Sequence, residues 1–365
     1  MFGIPELDAL LATSSRTPAA AQPHPQPNRP PAQQEDNLWN PPQNVQSVQP
    51  SLTTTDHPIK PATHILELIS PPPTHHPSPA GKTSLLHLII THAILPSTLS
   101  SIPLNGLSSA IIIIDPLSHF NVPRLAQVLL SHITTQFRLA ETPIDAEDVT
   151  TRKEILDCVK TSLMHVHIFR PSSWTSLMDT LTALPEYLFD PSRHRSTNRR
   201  IHAIVLEDVD VFTSQIRSSP STTLNPPTSA VPNPLHTAST HLTSTLTKLA
   251  TLLSCNAILT SHSTTPSSSR PAIPTSWPPA TQTTRLAVRR VEVVKFAPGI
   301  CIEQAEAERS QRWEVVSRGR FEAWRVGGTG GGSGRKGHKD RDGGEGFVFR
   351  VGVGVEIERV EGEGK

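Results

Sequence analysis

The chain has 365 residues, of which 36% are apolar, 36 are proline and one is tyrosine. That length allows one or two domains, and the composition describes a globular core diluted by Pro/Ser/Thr-rich insertions. Lys and Arg number 33 against 32 Asp and Glu, a net charge of +1. This excludes a global basic footprint for nucleic acid and makes any DNA contact local. Cys158, Cys255 and Cys301 have neither metal nor disulfide spacing and suit a reducing compartment. Glu6 and Asp8, with no basic region beside them, argue against a signal peptide. The longest apolar runs fall short of about 18 residues. They are interrupted by His87 and His92, so no membrane partner is expected.

In chain order, Phe2 to Leu11 carries Leu7, Leu10 and Leu11 at helical spacing. This small ordered segment, within residues 1–16, is expected to belong to the core and to offer an apolar patch for assembly with a partner. Thr17 to Pro61 is rich in Pro, Gln, Asn, Ser and Thr and predicts a disordered insertion. The core proper is expected over residues 62–300. Ile65–Ile69 predicts a strand and Lys82–Leu95 a helix, joined by a loop with five prolines. Ala110–Ile114 predicts a buried strand ending at Asp115, followed by a helix over Val122–Phe137. Val166–Phe169 predicts a strand, Ser173–Leu184 a helix, and Ala203–Leu206 a strand ending at Glu207 and Asp208. His241–Leu253 predicts a helix and Ala257–Leu259 a strand. Ser214–Thr240 and Ser263–Pro279 read as disordered loops. Thr284–Phe296 alternates as a strand. Residues 301–365 are expected to hold the end of a helix over Gly299–Arg318, a Gly-rich linker from Gly327 to Gly346, and one final strand from Gly346 to Glu358.

Near-continuous apolar strands alternating with helices predict an α/β fold with a mostly parallel sheet covered on both faces. Active sites in such sheets lie beyond the strand carboxyl ends. Gly81, Asp115, Glu207–Asp208 and Thr260–Ser261–His262 are therefore expected on one edge.

Gly81-Lys82-Thr83 between a strand and a helix is the local design of a phosphate-binding loop. The lysine reaches the β- and γ-phosphates, and the threonine hydroxyl can hold Mg²⁺. Backbone N–H groups and the helix N-terminus supply further anion contacts. The first glycine of the full motif is absent, with His76 in its place, and each loop proline removes a donor that a glycine cradle would supply. Weakened phosphate binding follows, and a chance Gly-Lys-Thr at a helix start is the plain alternative. Glu207 and Asp208 are candidates to position Mg²⁺ at a strand end, or else they cap the following turn. His262 is a candidate sensor of the γ-phosphate. Asp115 fits a turn cap better than a catalytic base. The basic clusters at Arg193–Arg200 and Arg335–Arg341 read as solvated loops before DNA contacts, and Phe137-Arg138-Leu139-Ala140 as core before an assembly tether.

Several segments together resemble a family. Gly3-Ile4-Pro5-Glu6-Leu7-Asp8-Ala9-Leu10-Leu11 resembles the entry of RecA-like recombinase cores. Ile65–Ile69 with Gly81-Lys82-Thr83 resembles their phosphate-loop strand and motif. Ile113-Ile114-Asp115-Pro116-Leu117-Ser118-His119-Phe120-Asn121-Val122-Pro123-Arg124-Leu125 is similar to the Ile-Asp-Thr-x-x-x-Phe-x-x-x-Arg-Leu segment of eukaryotic recombinases. The His-Phe pair and Arg-Leu resemble the recombinase paralogues of the X-ray-repair cross-complementing type, the second branch of that series. Ile204–Val209 with Phe212, Ile216 and Arg217 resembles the second acidic strand of the same branch, and Thr283–Leu286 a late strand of these cores.

The resemblance spans about residues 2–300 and implies a RecA-like P-loop core with antiparallel C-terminal strands and long disordered insertions. It implies ATP and Mg²⁺ as cofactors, with Gly81, Lys82, Thr83 and His262 on the nucleotide and Thr83, Glu207 and Asp208 on the metal. It further implies a nuclear protein of homologous recombination, supporting double-strand-break repair in a heteromeric complex with other recombinase paralogues. Single-stranded or forked DNA is then met through the complex. The sequence departs from the family's pattern at Leu117, which stands where recombinases carry a catalytic Glu. It also departs at His76 and Pro79 in place of glycines and at Glu207 in place of Asp. These departures imply weak or absent hydrolysis. The alternatives are a slow DNA-dependent ATPase and a P-loop phosphotransferase, the latter lacking an Arg-rich lid.

Overall fold

The computed structural model describes residues 2–13, 63–72, 81–140, 149–218, 233–265, 268–278, 281–291, 301–304, 306, 309, 319–326 and 345–358. In chain order the elements are α1 (Pro5–Thr13), β1 (His64–Ser70), α2 (Lys82–Ile94), β2 (Thr98–Leu99), β3 (Ile102–Pro103), β4 (Ala110–Ile114) and α3 (Val122–Leu139). Next come α4 (Val149–Leu163), β5 (Val166–Phe169), α5 (Trp174–Phe189), β6 (Ile201–Leu206), a 3₁₀ turn (Val209–Phe212), α6 (Thr213–Ser218) and α7 (Pro234–Leu253). The rest are strands: β7 (Asn256–Thr265), β8 (Ser268–Pro271), β9 (Gln282–Arg290), β10 (Arg320–Arg325), β11 (Gly346–Val351) and β12 (Val355–Glu358).

The main sheet runs β12-β11-β10-β9-β1-β7-β6-β4-β5, with β8 pairing β7 off that path. Strands β9, β1, β7, β6, β4 and β5 are mutually parallel, and β10, β11 and β12 continue the sheet antiparallel. Alternate residues of each parallel strand enter separate cores. Leu66, Leu68, Ile111, Ile113, Ala203 and Val205 pack with α1, α2, α3 and α4. Ile65, Ile112, Ile114, Ile204 and Leu206 pack with α5, α6 and α7. Burial on both faces is why these strands read as unbroken apolar runs. Each buried Ile or Leu contributes about 1.5–3 kcal/mol relative to exposure.

One charge interrupts this pattern. Glu67 in β1 is buried, and it accepts hydrogen bonds from Arg285 Nε at 2.7 Å and Trp277 Nε1 at 2.6 Å, with Arg285 Nη2 completing the ion pair at 2.6 Å. Glu67 lies directly opposite Arg285 in the β1–β9 register. A one-residue slip would leave a buried carboxylate unpaired, so this pair specifies the register.

From β1 the chain passes through α2 to β4, whereas from β7 it crosses back past β1 to β9. Adjacent β1 and β7 thus connect onward to strands on opposite sides of the pair, a switch at whose carboxyl edge parallel sheets open a crevice.

Several expectations need correction. The Leu7, Leu10 and Leu11 patch is no assembly surface: these side chains lie in the chain's own core, with Leu7 and Leu11 fully buried. Asp8 secures the segment by accepting from the backbone N–H of Phe2 at 2.6 Å and of Gly3 at 3.0 Å. Helix α7 starts at Pro234, well before His241, because Asn233 caps it and Pro234 suits the first helical position. The read loops 214–240 and 263–279 thus surrender residues to α6, α7, β7 and β8. Helix α5 runs through Pro185 to Phe189 because Leu184 and Leu188 continue its buried face. The segment Gly346–Glu358 is a hairpin of β11 and β12, with Val351 opposite Val355. Helix α4, strand β10 and the β2–β3 hairpin were not anticipated. Residues 302–304 are helical. Most of the helix expected at 299–318, the insertion at 17–61 and the linker at 327–344 lie outside the described residues.

Two measurements follow from this packing. Leu11→Ala empties a fully buried site and should cost about 2–5 kcal/mol in urea unfolding. His87, His92, His165, His167 and His202 have pKa values lowered to about 4, with burial as the leading cause in each. Unfolded histidine titrates near 6.5, so the unfolded chain takes up protons first. Stability present above pH 6.5 should fall progressively between pH 6.5 and 4, with unfolding coupled to uptake of several protons in calorimetry.

Candidate functional site

The crevice is built around the start of α2. Gly81 adopts φ 86°, the left-handed region that glycine tolerates, and a Cβ there would lie 2.6 Å from the Phe321 ring of β10. This turn delivers Lys82 and Thr83 to the carboxyl edge. Residues 73–80, which include His76, Pro77 and Pro79 of the expected loop, lie outside the described residues.

Lys82 is only 7% exposed. Its ammonium donates to Ser70 Oγ at 2.8 Å and Ser261 O at 2.9 Å and sits 3.2 Å from His262 Nε2. Asp208 Oδ1 lies 3.7 Å away. Burial lowers the Lys82 pKa, and the carboxylates of Asp208, Asp210 and Glu207 oppose that shift. An ammonium has three protons to donate, and these three acceptors match them.

Thr83 Oγ1 donates to Glu207 Oε1 at 2.6 Å, joining the first turn of α2 to the end of β6. Glu207 is 1% exposed, and its Oε2 is buried without a hydrogen-bond partner. Burial pushes its pKa up to about 7; the Thr83 bond opposes this, while Asp208 and Asp115 reinforce it. Asp208 also lies in the left-handed region, at φ 48°, and its N–H donates to Thr260 Oγ1 at 2.8 Å. Its Oδ2 is 3.3 Å from His119 Nδ1. Asp210 Oδ2 is 3.1 Å from His262 Nδ1.

The fold thus brings Gly81, Lys82, Thr83, Glu207, Asp208 and His262 to one edge from three separate strand ends. Asp115 accepts from the N–H groups of His119 and Phe120, both at 3.0 Å, and so serves its own turn. Leu117 follows it, partly exposed and with no group able to take a proton. Sequence reasoning missed Ser70, His119 and Asp210 as participants. The Asp-x-Asp spacing of Asp208 and Asp210 was the available signal for the last of these.

Other candidates are absorbed by structure. The Arg193–Arg200 cluster lies in a largely exposed loop, as read, and within it Arg199 donates to Ile94 O at 2.9 Å and Arg200 to Ser254 O at 3.0 Å, both carbonyls at helix C-termini. Arg193 pairs with Asp190 and Glu186. Phe137 is buried in the core beside α3's neighbours, as its core reading expects. The second basic cluster, Arg335 to Arg341, lies outside the described residues.

No protein-family model matches the sequence, and no curated protein matches it. The site must be judged on its own donors. For Mg²⁺, a hard cation that prefers oxygen ligands, the fit is sound: Thr83 offers a hydroxyl, and Glu207 offers a buried oxygen lacking a partner.

The raised Glu207 pKa has a stability consequence. A carboxyl held protonated on folding contributes fully below its unfolded value near 4.5, and the contribution is lost as pH rises through about 7. With divalent cations chelated, Glu207→Gln should therefore stabilise the protein at pH 8, by up to about 3 kcal/mol. The gain should vanish near pH 4, as read by urea unfolding at both values.

Proposed function

We propose that this chain is a RecA-like P-loop core that binds ATP with Mg²⁺ and supports homologous-recombination repair of double-strand breaks as a paralogue within a heteromeric complex. The observation that carries the reading is the Thr83–Glu207 contact at 2.6 Å. It joins a Gly-Lys-Thr helix start to the acid ending β6, one strand removed from β1, at the crevice where such sheets bind ligands. In this reading Lys82 meets the phosphates, and Thr83 and Glu207, with Asp208 behind them, hold the cation. Mg²⁺ would neutralise phosphate charge there.

Hydrolysis is weak in this reading. Asp115 is committed to its turn and Leu117 has no titratable group, so neither of these two residues after β4 supplies a carboxylate to orient water. Losing general acid–base help costs about 10²–10⁴-fold. The slow-ATPase alternative is favoured by one observation: Glu207, with a pKa near 7, is poised to exchange a proton at neutral pH. The repair role rests on the sequence resemblance, and the burial of Leu7, Leu10 and Leu11 removes that patch as the contact with partner paralogues.

Equilibrium titration with a fluorescent ATP analogue and Mg²⁺ tests the nucleotide reading. Lys82→Ala should weaken binding about 10–100-fold, the worth of charge-assisted hydrogen bonds. Equal affinity in both proteins would defeat it. Turnover with and without single-stranded DNA separates a binding core from a slow ATPase. Co-purification from nuclear extract should recover another RecA-like protein, and its consistent absence would remove the paralogue-complex reading.

A further inference from the structure

A chain of contacts runs through the crevice that the nucleotide reading does not require. Lys82 Nζ is 3.2 Å from His262 Nε2, and His262 Nδ1 is 3.1 Å from Asp210 Oδ2. An ammonium only donates, so His262 Nε2 must be the acceptor nitrogen. Its proton then resides on Nδ1, where it donates to Asp210. Asp210, the nearer of the two carboxylates facing Nδ1, thereby sets the imidazole tautomer, with Asp208 Oδ1 farther off at 4.0 Å.

The consequence falls on Lys82. With Ser70 Oγ and Ser261 O taking its other two protons, the lysine points into the protein with every donor used. A phosphate must displace at least one of these acceptors. Ser261 offers a backbone carbonyl fixed by the parallel ladder between β1 and β7, whereas Ser70 Oγ and His262 Nε2 are side-chain acceptors on those strands. His262 is the partner whose acceptor state can change, because swapping its tautomer turns Nε2 from acceptor to donor and breaks the bond to Lys82.

We infer that Asp210 is a positioning residue that, acting through His262, holds Lys82 turned inward and so sets how readily the lysine is available to an anionic ligand. Asp210 comes from the 3₁₀ turn after β6, and Val209 and Phe212 of that turn are buried in the α5–α7 core. The carboxylate is therefore delivered by a packed element. The affinity arm of the test below rests on the nucleotide reading, and the other two arms stand without it.

The experiment uses the full chain with Asp210→Ala, Asp210→Asn and His262→Leu, each checked for folding by circular dichroism. Imidazole ¹⁵N shifts at pH 8 report the His262 tautomer. Acetylation of Lys82 by acetic anhydride, followed by mass spectrometry, reports its availability. Titration of the fluorescent ATP analogue reports affinity. In the wild type, Nδ1 should carry the proton. Asp210→Ala should give a tautomer mixture, acetylate Lys82 faster, and bind the analogue about 2–10-fold more tightly, less than the full worth of a charge-assisted bond because only part of the tautomer population loses it. Asp210→Asn retains an acceptor oxygen and should restore all three. His262→Leu, which has no acceptor, should also raise Lys82 acetylation, which keeps the idea testable if Asp210→Ala does not fold. An unchanged tautomer in Asp210→Ala, unchanged or slower acetylation in either variant, or weaker analogue binding would overturn the inference. If tautomer and acetylation respond as expected while no protein binds the analogue, the positioning role stands and the nucleotide reading falls.

Discussion

Burial of the Lys82 ammonium is the constraint around which the carboxyl edge of the sheet is arranged. An unpaired charge in such a place costs several kcal/mol, so the edge must supply acceptors. It does so from three strand ends: Ser70 closes β1, Ser261 and His262 belong to β7, and Asp208 follows β6. The acceptors of β1 and β7 are aligned by parallel pairing, with Ser70 opposite His262 in the register. The electrostatics of the site and the order of the strands are thus one requirement. A different order would separate the lysine from the groups that make its burial tolerable.

The same economy of partners runs through the rest of the sheet. Glu67 and Arg285 lock β9 beside β1, and Trp277 closes the remaining carboxylate oxygen. The antiparallel strands then build outward from β9. Phe321 of β10 rests against the backbone at Gly81 and stacks on Phe349 of β11, with ring centroids 5.5 Å apart. Arg124, at the start of α3, donates to the carbonyls of Gly352 at 2.7 Å and Val353 at 2.8 Å in the β11–β12 turn. The C-terminal hairpin is therefore tied both to the helix after β4 and, through β10, to the turn that presents Lys82. This gives the adjacent Arg124 and Leu125 a structural account: Leu125 is buried in the core, while Arg124 holds the hairpin.

Much of the architecture was legible because it is written in local periodicity. The runs at Ile65–Ile69, Ala110–Ile114 and Ala203–Leu206 are apolar on both faces, which only a doubly covered sheet explains. What was misread shares a cause. Thr- and Ser-rich α7 looked like a loop at its start, yet Asn233 and Pro234 form a cap and first turn, and Thr247 and Thr251 bond carbonyls one turn back. The alternation of Gly346–Glu358 fits one strand as well as two, because a tight turn between paired strands leaves the period of two unbroken. Leu7, Leu10 and Leu11 form a helical stripe in either setting, and only the neighbours tell a docking face from a core face.

By itself the sequence determined the alternating elements, the Gly-Lys-Thr helix start and the acids ending β6. These depend on residues within a turn or a strand of one another. The tertiary structure alone decided which groups face Lys82. Its partners at Ser261 and His262 lie 179 and 180 residues along the chain, and the Thr83–Glu207 contact spans 124. Such pairings follow from strand order, which local propensity does not encode. The role of Asp210 arises the same way: only when β6 and β7 are neighbours does its carboxylate reach His262 and, through it, the lysine.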